Sequence, residues 1–402
     1  RKPQLSRLNF KFLEDAQIML ENSPLQELER RERALKIINS RVKEDRSNLY
    51  DLTGLSGGFP VKKEDISLLE TYAGPAIFEE KLQPLGLKHL GGEKVLALNR
   101  TSSGILATIL ALVKPGGQVV HFLPKLPAHP SIPRSIELVR GDYVEFTDTD
   151  EFEIGKKTDL VIITGSTMDH QVISEGDFLK IIEASKSQDV PVMVDDASGA
   201  RLRTILYNQP RAIDMGADLV ITSTDKLMDG PRGGLMSGKT ELIDLIKSKA
   251  HQFGLEAQPP LIAGMVGALE NFKPDRILAS RSKKQELYQA LQEDFSVDET
   301  PTGVMLLSEN VIVELESRGV ETTLDPSVVA GILAMILLRE YGIITIPAVG
   351  MPGASPTIRI DMASRDAERL EVEYIHQAFI GSFFRLEEVV DDEQKCKTVL
   401  FG

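Results

Sequence analysis

The sequence predicts an open α/β domain, with helices covering a largely parallel sheet, followed by a smaller α+β domain; three observations carry that prediction. From about residue 93, short apolar runs recur with helical stretches between several of them, the alternation that builds a parallel sheet. Beyond Pro274 a long polar helical segment leads into a second set of strand-like runs. The 402 residues, with 42% hydrophobic content, suffice for two domains or for one large domain with an appendage. Boundaries fall at 1–75 for an N-terminal helical arm, 76–275 for the large domain, and 276–402 for a linking helix and the small C-terminal domain.

In the arm, Leu35, Ile38 and Val42 recur at helical spacing within RRERALKIINSRVKEDR. Glu27, Glu29, Glu32, Glu44 and Asp45 are interleaved with the arginines, which reads as a solvated face; a tRNA contact is the alternative. LTGLSGGFP, residues 52–60, has the glycine and proline content of a loop near the body. KVLALN, GQVVHFL, DYVEF, DLVIIT, VPVMVDD and DLVITST then read as strands. Between them, SSGILATILALV, DFLKIIEASK and PRAIDMGA supply amphipathic or capped helical pieces, with Ser103 as N-cap of the first. After Pro274, DRILASRSKKQELYQALQED is a long polar helix. GVMLLS, NVIVELE, GIITIP and TIRIDMA follow as strands, with one apolar helix among them. No internal repeat or low-complexity tract interrupts the order.

Composition narrows the function classes. A net charge of −14 opposes broad contact with a phosphate backbone, which needs clustered Lys and Arg. The single cysteine, Cys396, permits no intrachain disulfide and no thiolate metal cluster, so a reducing cytosol is expected and a metal is not. The longest apolar run, 328–338, is too short for a bilayer and is bounded by Asp325-Pro326 and Arg339-Glu340, which reads as a buried helix. No secretory leader precedes the first charged residues, and no membrane contact is expected.

The chemistry concentrates in DLVITSTDKLMDGPRGGLMSGKT, residues 218–240, where two lysines compete. Gly233 to Thr240 fits the phosphate-cradling pattern G-x-x-x-x-G-K-[ST], with Lys239 as its cation, and would suggest a P-loop NTPase. That loop requires an apolar strand feeding directly into the first glycine. Met228 to Arg232 does not supply one, Leu235-Met236 lies inside the supposed cradle, and no downstream apolar run ends in an aspartate suited to magnesium.

Lys226 instead ends a strand and is followed by Gly230, Pro231, Gly233 and Gly234, the setting of a lysine that forms a Schiff base with pyridoxal phosphate. Such a site also needs an acid, a phosphate nest, ring packing and a carboxylate clamp. Asp195, closing the run PVMVD, is the candidate acid, since a carboxylate beside the pyridine nitrogen keeps it protonated; capping of the next turn is the plainer alternative. Ala197 is small enough to pack under the ring. Ser103, Gly104 and Ile105 lie where a strand gives way to a helix and offer backbone N–H groups and a helix dipole to a phosphate, ordinary capping being the alternative. Ser223 adds a hydroxyl. Arg232 adds charge, from this subunit or a neighbour, unless it forms a surface ion pair.

With these residues in view, the chain resembles the fold-type-I pyridoxal phosphate enzymes, and among them the group of bacterial selenocysteine synthase, L-seryl-tRNA(Sec) selenium transferase. Its archaeal, functionally unassigned branch is the nearest likeness. The resemblance spans most of residues 90–370 and is sharpest in STDKLMDGPRGG, with Asp229 in place of a family glycine. It implies a mostly parallel seven-stranded sheet, a smaller α+β domain and a homodimer or higher oligomer. It also implies Lys226 as the Schiff-base lysine, Asp195 as partner of the pyridine nitrogen, and Arg359 of SPTIRIDMAS as the clamp on a substrate carboxylate. A strand-surface arginine is the alternative for Arg359. His129, in LPAHPSIPRS, falls where the family stacks an aromatic or imidazole on the ring; His170 is a weaker candidate.

The implied reaction starts when a substrate amine takes the place of Lys226 on the cofactor. The freed lysine carries the Cα proton, and elimination or replacement at Cβ follows, the work of a transferase or lyase. A small amino-acid-like substrate is expected. The acidic balance, and a short arm where the bacterial enzyme has a tRNA-binding domain, argue against tRNA. A catalytically silent protein of the same fold, serving in binding or regulation, is the other alternative.

Overall fold

The computed structural model describes Leu20 and residues 23–56, 58–351 and 354–402, so part of the 1–75 arm and Gly57 of the LTGLSGGFP loop lie outside the described residues. The six apolar runs of the large domain all form strands: β1 Lys94–Leu98, β2 Gln118–Phe122, β3 Asp142–Phe146, β4 Thr158–Thr164, β5 Val192–Asp195 and β6 Leu219–Ser223. A seventh, β7 Gly234–Gly238, completes a sheet of order β1-β7-β6-β5-β4-β2-β3. Strands β2 to β6 pair in parallel, while β7 runs antiparallel to both β1 and β6.

The strands are apolar throughout because both faces are covered, and the period of two sorts their side chains. In β4, Leu160 and Ile162 enter one core with residues of the helices Thr101–Leu112, Ser131–Leu138 and Thr240–Phe253. Val161 and Ile163 enter the other, with the helices Ala73–Leu90, Glu175–Ser187 and Pro259–Asn271. Ser174 caps the helix Glu175–Ser187 by accepting from the Asp177 N–H at 3.0 Å, satisfying one of its orphan donors.

The small domain is a three-stranded antiparallel sheet, β8 Asp298–Glu299, β9 Gly303–Leu306 and β10 Ile358–Asp361, in the order β10-β9-β8. Its core is dominated by the helix Pro326–Tyr341, in which every residue from Val328 to Leu338 is buried. The N-terminal helix Pro24–Asp45 docks here through Ala34, Ile37 and Ile38, whereas Leu35 and Val42 face solvent. Arg30 donates to the Pro347 carbonyl at 2.9 Å and Arg41 to the Arg339 carbonyl, so these arm arginines serve the docking. Tyr50–Asp51 then pairs in parallel with Ile343–Ile344.

Several local expectations are corrected. NVIVELE lies in a helix, Ser308–Ser317, because its buried pair is Val311 and Leu315, four residues apart, while Val313 is 55% exposed. PRAIDMGA forms turns, and the helices Ala73–Leu90 and Pro259–Asn271 have no counterpart in the sequence reading. The helix assigned to Ser103 as N-cap begins earlier, at Thr101, with Arg100 as its N-cap. The G-x-x-x-x-G-K-[ST] pattern is not a phosphate loop: its residues Gly234–Gly238 are a strand whose backbone is paired on both sides, and Lys239 forms an ion pair with Asp218 at 2.7 Å. Among the described residues, no helix is long and apolar enough to cross a membrane.

Candidate functional site

The carboxyl ends of β5 and β6 lie side by side, and open α/β sheets bind ligands at that edge. Strand β5 delivers Asp195, and β6 delivers Ser223 and the turn that carries Lys226. The backbone around Lys226 is held by the loop after the N-terminal helix. Ser56 N–H donates to the Asp225 carbonyl at 2.7 Å, Leu227 N–H donates to Gly54 at 3.2 Å, and Leu55 bridges Lys226 itself. These contacts hold Leu227 at φ 55°, a left-handed conformation that a leucine adopts only under constraint.

Lys226, Asp195, Ala197, Ile105 and His129 share one narrow cavity. Lys226 and His129 also line a wider cavity, of about 400 Å³, with Ser103, Ser223 and Arg232. Asp195 is 8% exposed and its Oδ1 has no hydrogen-bond partner. Burial pushes its carboxyl up to about 6 against the opposing charge of Lys226. Burial also lowers the Lys226 amine; Asp225 and Asp195 oppose that, and Arg359 and Arg201 reinforce it.

The phosphate donors shift from their expected place. Gly104 N–H is taken by the Arg100 carbonyl at 3.2 Å, so the N–H groups outside the helical ladder belong to Thr101, Ser102 and Ser103. Gly104 serves packing, since an added Cβ would sit 2.1 Å from Ile221 Cδ1, and Ile105 forms part of the cavity wall. Ser223 donates its hydroxyl to Asp225, whose carboxylate also faces Arg232 at 3.4 Å. His129 has its Nδ1 turned to Ser131, accepting the backbone N–H at 3.2 Å.

Arg359 is brought near Lys226 without opening onto either cavity. It is buried, donates to the Met168 carbonyl at 2.7 Å and to Thr53 at 3.3 Å, and leaves its Nε without a partner. His170, also buried, has an unpartnered Nδ1; burial, Arg359 and Lys226 together hold its imidazole well below its ordinary value, so it is neutral. Asp229 pairs with Arg276 at 3.0 Å and with Arg365 at 2.9 Å, joining the lysine turn to the linking helix and the small domain.

Sequence reasoning missed Arg201 and Arg203, both 0% exposed. One Arg201 nitrogen donates at 2.7 Å to Ala197 and at 2.7 Å to Ser223, stitching together the two loops that bear the site. Arg203 grips Asp196 with two bonds, at 3.1 and 2.5 Å, and lies over the Phe178 ring. No local signal marks them, since arginine is among the residues least often fully buried and the carbonyls and carboxylate that hold this pair are set by the fold.

Comparison with known proteins places the chain among its relatives. Residues 160–284 match the L-seryl-tRNA selenium transferase family, and residues 293–371 match the UPF0425 C-terminal domain. A UPF0425 pyridoxal phosphate-dependent protein of Methanosphaera stadtmanae is 55% identical over 367 residues, covering 91% of this chain and 96% of that one. One from Methanothermobacter thermautotrophicus is 52% identical over 385 residues, covering 96% and 100%. The L-seryl-tRNA(Sec) selenium transferase of Mannheimia succiniciproducens is 29% identical over 121 residues, 28% of this chain and 26% of that one. N-succinyldiaminopimelate aminotransferase from Mycobacterium tuberculosis superposes with a TM-score of 0.52 at 16% identity, covering 92% and 90% of the two chains, which shows the fold-type-I architecture.

Proposed function

The chain belongs to the UPF0425 family of pyridoxal phosphate-dependent proteins, related to selenocysteine synthase, and from that premise we propose that it binds pyridoxal 5′-phosphate at Lys226 and acts on an amino acid or aminoacyl group at Cα and Cβ. The observation that carries this reading is the unpartnered Asp195 Oδ1, buried in the same cavity as Lys226. A buried oxygen of that kind needs a donor, and a protonated ring nitrogen is one. Pyridoxal phosphate, when bound, supplies the electron sink that makes a substrate Cα proton acidic.

The chain's own residues would do the rest. Lys226 would hold the aldehyde, Ala197 and His129 would pack against the ring, and the N–H groups of Thr101 to Ser103, with Ser223 and Arg232, would take the phosphate. The Lys226 amine, lowered by burial, is suited to accept and return the proton at Cα. Arg359 would take the substrate carboxylate by giving up its bonds to Met168 and Thr53, a small-domain movement that would also exclude water. Elimination or replacement at Cβ, by a transferase or lyase, is the outcome we favour, in a cytosolic homodimer with a small amino-acid-like substrate and without tRNA.

Borohydride reduction of the cofactor-loaded protein, followed by peptide mapping, tests the assignment. Modification at Lys226 that disappears in Lys226→Ala supports it; modification at Lys239 overturns it. A protein that carries the cofactor at Lys226 yet responds to no amine would serve in binding or regulation instead.

A further inference from the structure

We propose that Arg31, Arg100 and Arg134 form a second anion site at the mouth of the Lys226 cavity, which takes a dianionic phosphate on the side chain of the substrate. This deepens the functional reading above and rests on it. Arg100, Arg134 and Arg232 line the wider cavity together with Lys226. Arg31 lies close by on the N-terminal helix: its side chain, together with the Glu27 carboxylate, lies against Gly350, whose neighbour Met351 lines the same cavity. Arg31, Arg100 and Arg232 are close enough for their charges to act on one another. Burial lowers Arg100 from the usual arginine range, and repulsion from Arg232 and then Arg31 adds to it, with Asp225 alone opposing.

Arg232 has that acid as a partner, at 3.4 Å. Among the described residues, Arg31, Arg100 and Arg134 form no ion pair. Two unpaired guanidinium groups on one cavity, Arg100 and Arg134, with a third, Arg31, behind its wall at Gly350 and Met351, are unexpected in a chain of net charge −14, and like charges held together without an anion cost stability. The cofactor's own phosphate has a separate set of donors, the N–H groups of Thr101 to Ser103 at the start of a helix. A guanidinium fork suits phosphate oxygens in pairs, and three such forks exceed what a carboxylate or hydroxyl needs. A nucleic acid would require a broad basic face; here the neighbouring arm arginines Arg30 and Arg41 are engaged with small-domain carbonyls.

The test is calorimetric titration of the cofactor-loaded protein with O-phospho-L-serine, L-serine and inorganic phosphate. It compares wild type with Arg100→Gln/Arg134→Gln and with Arg31→Gln, and cofactor affinity is measured separately on each cofactor-free protein. The wild type is expected to prefer O-phospho-L-serine over L-serine by about thirtyfold, with inorganic phosphate competing, and the double variant to lose at least about tenfold of that preference while cofactor affinity holds within about threefold. Equal affinities in the wild type would overturn the proposal. So would a parallel fall in cofactor affinity, which would give these arginines to the cofactor, or a salt-steep seryl-tRNA complex without any phosphoserine preference. A reduced lysine mapping away from Lys226 with the preference intact would sink the functional reading and leave the anion site standing.

Discussion

At Asp195 the folded chain keeps a carboxyl almost out of water, with one oxygen unpartnered, and burial pushes it up to about 6. An unfolded chain ionises the same group near 4, so between those values folding takes up a proton and stability falls as pH rises; above about 6 the full cost is present. In cofactor-free protein that cost is on the order of 2–3 kcal/mol at neutral pH. Asp195→Asn is therefore expected to raise the melting temperature of cofactor-free protein at pH 7.5, with the gain shrinking toward pH 4. The same variant should bind the cofactor more weakly, because an amide is a poorer partner for a protonated ring nitrogen. A melting temperature unchanged at both pH values would mean that the carboxyl is not strained by burial.

Two elements set the site's shape, the start of the helix Thr101–Leu112 and the paired ends of β5 and β6. Gly234 opens β7 directly beneath the first of these: a Cβ there would lie 2.6 Å from the Arg100 carbonyl oxygen and 3.0 Å from Thr101 N. Gly234→Ala should displace that backbone, so we expect cofactor affinity to fall at least about tenfold with secondary structure retained, read by cofactor titration and circular dichroism. Arg201 ties the second pair of elements. Arg201→Met removes both bonds and one of the charges that lower Lys226, so the pKa of that lysine should rise, measured by the pH dependence of its acetylation in cofactor-free protein. Arg201→Lys, which keeps the charge, should leave it low. These elements differ in how far the sequence announces them. Lys226 and Asp195 stand at strand ends made of contiguous apolar residues, a local signal. The packing role of Gly234 and the stitching by Arg201 depend on which strands become neighbours, and strand order is not written in any one segment. NVIVELE misleads because its alternation is that of a strand, while tertiary packing selects only Val311 and Leu315 for burial.

At the scale of the molecule, the lysine turn is anchored to three separate parts of the chain. Asp229 reaches Arg276 of the linking helix and Arg365 of the small domain. Burial tends to raise its carboxyl, but the bonds from Arg276 and Arg365 outweigh that and keep it below the usual aspartate value. The partners are partly exposed, so screening limits their worth: Asp229→Asn should cost about 1 kcal/mol in denaturant melts at low salt, and the difference should shrink in concentrated salt. An equal difference at both salt concentrations would assign the loss to packing. The third anchor is the loop 54–56, which reaches the turn from the segment that leads into it through Tyr50–Asp51. Among the described residues that short strand pairs only with Ile343–Ile344, and the Leu52 carbonyl accepts from Asp361 N–H at 2.9 Å. During synthesis Tyr50 leaves the ribosome long before Ile343 has been joined to the chain. The nascent protein must therefore hold its early segment in waiting, and Lys226 gains its final backbone setting only after the strand Ile358–Asp361 has emerged.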